Sequence, residues 1–250
     1  MTAVITEGLP RGFLSNYTTI LITLRELVGR RGYNGDDIFI SPEMFSLYGN
    51  PTNWFSEDKV KHPEDSEVFG STQFIDIDPW PTEEQLNLID YTKYVPYNSR
   101  MKNYLKDNLK TFQNCLGIHY RGTDHKQHVD RVSLNTFFSI IAKEVEENDY
   151  ESVFVSTDET NIIESFQDFF DGVEIIHNES IKSKTSTPLH FTNFDLDTKI
   201  KLGDQVLLDS HSIANCRTVI CKTSNIINYA RILNPKLNAI YVDKNLQFRE

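Results

Sequence analysis

Short apolar runs alternate along this chain with longer stretches whose apolar positions recur every three or four residues. The runs at residues 3–6, 37–41, 72–77, 115–120, 152–156, 173–176, 218–221 and 239–242 predict strands. Between them the spacing predicts helices at 16–28, 99–109, 133–147, 159–169, 195–214 and 224–233; in the first of these Ile20, Leu21, Leu24, Leu27 and Val28 mark one face. Another helix opens at Pro81-Thr82-Glu83-Glu84-Gln85, with Thr82 as N-cap and Gln85 at the capping-box position, and Ser133 is a further predicted cap. Gly8-Leu9-Pro10-Arg11-Gly12 reads as a turn. Alternation of this kind builds βαβ units on parallel sheets, so the predicted class is α/β. It is most regular from Cys115 onward, where it describes a doubly wound unit, and two lobes are expected, residues 1–110 and 111–250.

One strand ends abruptly on chemistry. Leu116-Gly117-Ile118 runs into His119-Tyr120-Arg121-Gly122-Thr123-Asp124, and an apolar run stopping on ionisable side chains is how a buried parallel strand delivers groups to the mouth of a sheet. Two more predicted strands in this half end the same way, at Ser156-Thr157-Asp158-Glu159 and at Lys222-Thr223-Ser224-Asn225. In one parallel sheet all three ends point to one crevice. The Arg121 guanidinium is always charged and offers a fork of donors suited to a phosphate or diphosphate; it equally suits an ordinary strand-end pair with Asp124. Ser224 opens a helix, whose free N–H groups and positive end suit a phosphate. Ser224 and Asp158 also suit plain helix caps.

Charge and cysteine content narrow the partners. The 36 acidic residues exceed the 25 basic ones, and the net charge of −11 argues against a duplex nucleic-acid binder while leaving room for a local basic pocket. Cys115, Cys216 and Cys221 form no CxxC pair and read as reduced, buried thiols. No segment approaches the roughly 20 apolar residues of a membrane span, and the start lacks the basic and apolar regions of a signal peptide. The expectation is a cytoplasmic chain. His119, Asp124, His125, His128 and Asp130 are of metal-ligand type, but their spacing matches no common zinc pattern, and no metal is expected there.

These strand ends resemble those of the fucosyltransferases of the NodZ and α1,6-fucosyltransferase type, relatives of the protein O-fucosyltransferases. In that family a strand ends in His-x-Arg-Arg-Thr/Gly-Asp, which His119-Tyr120-Arg121-Gly122-Thr123-Asp124 matches at four of the five specified positions. Val153-Phe154-Val155-Ser156-Thr157-Asp158-Glu159 is similar to the second family motif, a strand ending in Thr-Asp. Leu207-Leu208-Asp209, then Cys216 and Thr218 to Asn225, is similar to the third, a helix bearing Asp before a strand that ends in Ser-Ser or Ser-Gln. The resemblance covers about residues 112 to 235, with an echo at Gly12 to Asn16.

The resemblance implies a GT-B-like architecture, two Rossmann-like lobes with parallel sheets facing across a cleft, the second lobe holding GDP-fucose and the first facing a glycan or other hydroxyl acceptor. It implies no cofactor beyond the donor. Carried over, Arg121 binds the donor diphosphate and Ser224 with the amide of Asn225 completes the cradle. His119 and Asp209 sit near the guanine, Asp158 sits near the nucleoside or supports the first motif, and Asp124 orients the strand-end loop. Gly122 stands where the family has a second Arg, and the acidic residue proposed as base in the α1,6 enzymes has no clear counterpart; His128 and Asp130 lie nearest. Either can take the acceptor proton if it faces the cleft.

Two alternatives remain. A catalytically lapsed GDP-sugar-binding protein is motivated by Gly122 and the missing base. A metal-dependent GT-A glycosyltransferase is motivated by Asp76-Ile77-Asp78, whose two carboxylates imitate a DxD site for Mg²⁺ or Mn²⁺ against a diphosphate. The polar segments at 49–71 and 178–193 flank the predicted site, and Trp54 in the first either stacks on a sugar or pins its loop to the core.

Overall fold

The computed structural model describes residues 1–6, 12–70, 87–112, 114–121, 133–170, 172–183, 189 and 192–242. The chain divides into two compact units, Met1–Leu109 with Asn193–Leu208, and Lys110–Thr192 with Asp209–Glu250.

Among the described residues of the first unit, three parallel strands, β1 (Ala3–Thr6), β2 (Ile38–Ile40) and β3 (Glu67–Gly70), form a sheet in the order β2-β1-β3. Helix α1 (Phe13–Leu24) covers most of the expected apolar stretch, and at Arg25 its turns widen into a π-helical segment that continues to Arg30 and carries Leu27 and Val28. Helix α2 (Ser99–Asn108) starts on Asn98, whose side chain accepts from the Met101 N–H. The expected strand at 72–77 and the helix opening at Thr82 lie outside the described residues, as does most of the turn at 8–12. The strand that pairs with β1 on the side away from β2 is Glu67–Gly70, of which Phe69 alone is buried. With Glu67 and Val68 exposed, this strand has almost no hydrophobic period to read. The 3₁₀ segment Asn87–Tyr94 was likewise not signalled by any apolar spacing.

Trp54 is fully buried, with 0% of its surface exposed, and its indole N–H donates to Asp204 Oδ1 at 2.9 Å. Arg100 grips the same carboxylate at 2.8 and 2.7 Å and also donates to the Asn53 carbonyl. Trp54 therefore pins its loop to the core and has no ring face to offer a sugar.

In the second unit β4 (Cys115–Tyr120), β5 (Ser152–Thr157), β6 (Glu174–Ile176), β7 (Thr218–Cys221) and β8 (Asn238–Tyr241) form a parallel sheet in the order β6-β5-β4-β7-β8. Helices α3 (Leu134–Glu147), α4 (Thr160–Phe169) and α6 (Asn225–Leu233) connect them, and α5 (Leu196–Ala214) supplies its last turns to this unit. Ser133 caps α3 as expected, accepting from the Thr136 N–H at 3.1 Å. Both sheet faces are covered, which is why the strands read as unbroken apolar runs. Leu116, Ile118, Val153, Val155 and Ile220 pack with Phe137, Ile141, Ile162 and Phe166 of α3 and α4 on one face. Cys115, Phe154, Val219 and Cys221 pack with Ile213 and Ile227 on the other. Gly117 makes room where β4 passes Cys216, since a Cβ there would lie 3.0 Å from its Sγ and the thiol would have to give way. All three cysteines are buried and unbridged. Among the described residues, no helix is long and apolar enough to cross a membrane.

Candidate functional site

The strand order of the second sheet defines where a ligand fits. From β4 the chain proceeds outward through β5 and β6, then returns to the other side of β4 as β7 and β8. In open α/β sheets the crevice at the carboxyl ends beside such a reversal is the binding site. The ends are level: His119 pairs with Ser156 on one side and Cys221 on the other, and Tyr120 with Thr157.

Alternation along β4 turns His119 away from the α3–α4 core and toward α5. There His119 Nδ1 lies 3.2 Å from Ser156 Oγ, and Ser156 Oγ donates to Asp209 Oδ2 at 2.9 Å. The other carboxylate oxygen accepts from Asn178 Nδ2 at 2.8 Å, and the same amide reaches Ser212 Oγ at 3.3 Å. Asp209 keeps part of its surface open although protein surrounds its carboxylate. Burial pushes its carboxyl above the usual range, against the hydrogen bonds from Asn178 and Ser156 and the charge of Lys182, which favour the anion. Burial in turn pushes the Lys182 ammonium down, opposed by Asp209. Lys182 also donates to the Asn178 carbonyl at 3.4 Å and to the Ser180 hydroxyl.

The segment bearing Asn178 and Lys182 is held against the turn after β5. Ser183 N–H donates to the Asp158 carbonyl at 2.7 Å, and the Ser183 carbonyl accepts from Thr160 N–H at 3.3 Å. The N-cap position of α4 belongs to Glu159, with no side-chain cap, so Asp158 is a turn residue at the strand end and does not cap the helix. Ser224 does cap α6: its hydroxyl accepts from the Ile226 N–H at 3.2 Å and retains its own proton to donate. Asn225 is the first residue of α6, and Arg121 directly follows β4, half-buried.

The structure thus joins His119 to Asp209 through Ser156, and sets Arg121, Asp158, Ser224 and Asn225 at the ends of the adjoining strands. Asp124, His128 and Asp130, together with Gly122, lie outside the described residues, as do Asp76 and Asp78. Among the described residues no group of three His, Cys, Asp or Glu side chains stands ready for a metal ion. Sequence reasoning missed Asn178, Lys182 and Ser212. A signal existed for the first: β6 also ends on polar residues, at His177-Asn178, and the strand-end logic applied to it finds Asn178.

His211, on the last turns of α5, lies edge-on to Tyr229 with ring centroids 6.1 Å apart, and burial pushes its imidazole down to about 4. The folded state keeps this ring neutral while the unfolded chain protonates it near 6.5, so its contribution is complete above about pH 6.5 and is lost as pH falls toward 4. The shift corresponds to stability on the order of 3 kcal/mol. Urea unfolding between pH 7.5 and 4.5 checks this: the stability of His211→Gln is expected to fall less steeply with acid than that of the wild type, and parallel curves would refute it. Asp209 acts with the opposite sign, its raised value making ionisation costly to the fold as pH rises.

No family model matches this chain, and no curated protein does. Solved structures do match it. NodZ α-1,6-fucosyltransferase soaked with GDP-fucose is similar over 94% of each chain, at 13% identity and a TM-score of 0.58. The fucosyltransferase NodZ from Bradyrhizobium is similar over 92% of each chain, at 14% identity and a TM-score of 0.57. POFUT1 in complex with GDP-fucose covers 96% of this chain and 97% of its own, at 10% identity and a TM-score of 0.52. At such identities the likeness is one of fold: a mixed α/β fold with parallel sheets, shared with these structures.

Proposed function

We propose that this chain is a glycosyltransferase that moves fucose from GDP-fucose to a hydroxyl of a glycan or similar acceptor, by inversion and without a metal. The observation that carries the reading is the level set of strand ends in the second unit, His119 joined through Ser156 to Asp209, with Arg121 beside them and α6 beginning past β7. Structures with this fold were solved with GDP-fucose bound or soaked in. The alternative built on Asp76 and Asp78 gains nothing from this fold, whose parallel sheets match GT-B neighbours.

In this reading the second unit, Lys110–Thr192 with Asp209–Glu250, holds the donor and the first unit, which takes residues 193–208 as well as the expected N-terminal lobe, serves the acceptor. His119 and Asp209 meet the guanine, with Asp158 near the nucleoside. The acceptor oxygen attacks the anomeric carbon from the face opposite GDP, and the bond to the β-phosphate oxygen breaks. Negative charge grows on the departing diphosphate, where the Arg121 guanidinium, the Ser224 hydroxyl and the Asn225 N–H at the positive end of α6 are the stabilising groups. Asp124 orients Arg121. The acceptor proton passes to His128 or Asp130.

Calorimetry with GDP, UDP and ADP tests the nucleotide. GDP is expected to bind at least about tenfold more tightly than either, a difference of about 1.4 kcal/mol, and equal or absent binding sinks the assignment. Hydrolysis of GDP-fucose, followed with and without EDTA, is expected to proceed at the same rate in both; a rate lost on chelation would overturn the metal-free part.

A further inference from the structure

The segment that leaves β6 is fixed at both of its ends. Asn178 is buried and donates its side-chain amide to Asp209 Oδ1 at 2.8 Å. Ser183, also buried, forms a parallel bridge with Glu159, its N–H on the Asp158 carbonyl at 2.7 Å. Between these anchors Lys182 is half-buried, and its stem folds back so that Nζ donates to the Asn178 carbonyl at 3.4 Å and to the Ser180 hydroxyl. Both acceptors are neutral, and among the described residues Lys182 forms no ion pair. The ammonium has three protons to give, and these two bonds use two of them.

Asp209 has spare capacity too. Ser156 occupies Oδ2 and Asn178 occupies Oδ1, one donor on each, whereas a carboxylate accepts about four. Each charge favours the charged form of the other, although the two groups do not touch. The carboxyl edge of the sheet thus offers an acceptor and, joined to it through Asn178, a cation. Guanine carries the matching pair on one edge: the donors N1–H and N2–H lie beside the acceptors O6 and N7. We propose that Lys182 is a specificity-determining contact to the nucleobase, its ammonium donating to O6 and N7 of guanine while Asp209 accepts from N1–H and N2–H. Adenine in the same place sets its N1 acceptor against the carboxylate and its N6 donors against the ammonium, so both contacts turn repulsive. This rests on the nucleotide-sugar reading above, and it gives the choice of base a residue outside the three strand-end motifs.

Calorimetry with GDP and 7-deaza-GDP, which lacks only the N7 acceptor, reads the contact directly. The wild type is expected to bind 7-deaza-GDP roughly fivefold more weakly than GDP. Lys182→Met keeps most of the stem and removes the charge; it is expected to bind GDP roughly tenfold more weakly than the wild type and no longer to distinguish GDP from 7-deaza-GDP. Lys182→Arg is expected to restore the distinction. A wild type that binds both nucleotides equally overturns this inference alone. So does GDP bound by Lys182→Met with wild-type affinity, or a parallel loss of both nucleotides, which a support for the loop or for the diphosphate would give. Wild-type protein that binds no GDP overturns the nucleotide-sugar reading and this inference with it. A second readout on the wild-type chain keeps the test independent of how Lys182→Met folds. The ¹³Cε–Hε signal of Lys182, assigned by its absence in Lys182→Arg, is expected to move on titration with GDP and to stay with inorganic pyrophosphate. A signal unmoved by GDP, or moved as far by pyrophosphate, overturns the inference.

Discussion

Arg121→Ala is expected to abolish measurable GDP binding, a loss of at least about 100-fold, while thermal unfolding stays within a few degrees of the wild type. A guanidinium that forks onto a diphosphate makes two charge-assisted hydrogen bonds, each stronger than a neutral one, and alanine removes both with the charge. The fold tolerates the change because Arg121 lies just past β4 and is only half-buried, whereas the core of that strand is made by Cys115, Leu116 and Ile118. Arg121→Lys is expected to recover part of the affinity, since a point charge replaces the attraction but not the fork. GDP bound by Arg121→Ala with wild-type affinity in calorimetry would refute the role. Unfolding of that variant at room temperature would show that Arg121 serves the fold instead.

The largest stability effect is expected at Trp54. Its ring packs against Phe13 and Phe45 at 4.8 and 5.9 Å between centroids, and its N–H is bonded to Asp204. Removing a buried Trp side chain leaves a cavity that the surroundings fill only in part, costing about 3–5 kcal/mol. For a chain of this size Trp54→Ala should lower the thermal midpoint by roughly 10 °C. Trp54→Phe keeps most of the packing and loses the N–H, and should cost about 1–2 kcal/mol. Gly203 completes the contact from α5: a Cβ there would lie 2.6 Å from Cζ2 of the indole, so the helix passes this close only as glycine. A midpoint for Trp54→Ala within 2–3 °C of the wild type would mean that the loop it anchors contributes little to the fold. GDP binding by Trp54→Ala at a temperature where it is folded is expected to match the wild type, because the proposed donor groups belong to the other unit.

The second unit was legible element by element. The strands at 115–120 and 218–221 were read with their observed bounds, and the helices at 133–147, 159–169 and 224–233 each began within one residue of the observed start. A strand buried on both faces must be apolar throughout, and a helix over it must repeat every three to four residues, so both patterns are written locally. The first unit was less legible. Its strand Glu67–Gly70 has one buried side chain, and its π and 3₁₀ segments depart from the helical repeat. The pairing of Trp54 with Asp204 spans 150 positions of sequence, beyond any periodic signal.

The sequence by itself determined the parallel α/β class, the order of the strands in the chain and the three ends that carry His119, Asp158 and Ser224, because these depend on residues next to one another. Only the tertiary structure decided which polar groups meet. It brought Ser156 between His119 and Asp209, swung Asn178 onto that carboxylate with the Lys182 charge within its field, buried Trp54 and laid the Lys222 ammonium over Tyr120. Those partners come from segments far apart along the chain. What selects them is the need of each buried charge or amide for a partner once water has been removed, a need that exists only after the sheet has closed.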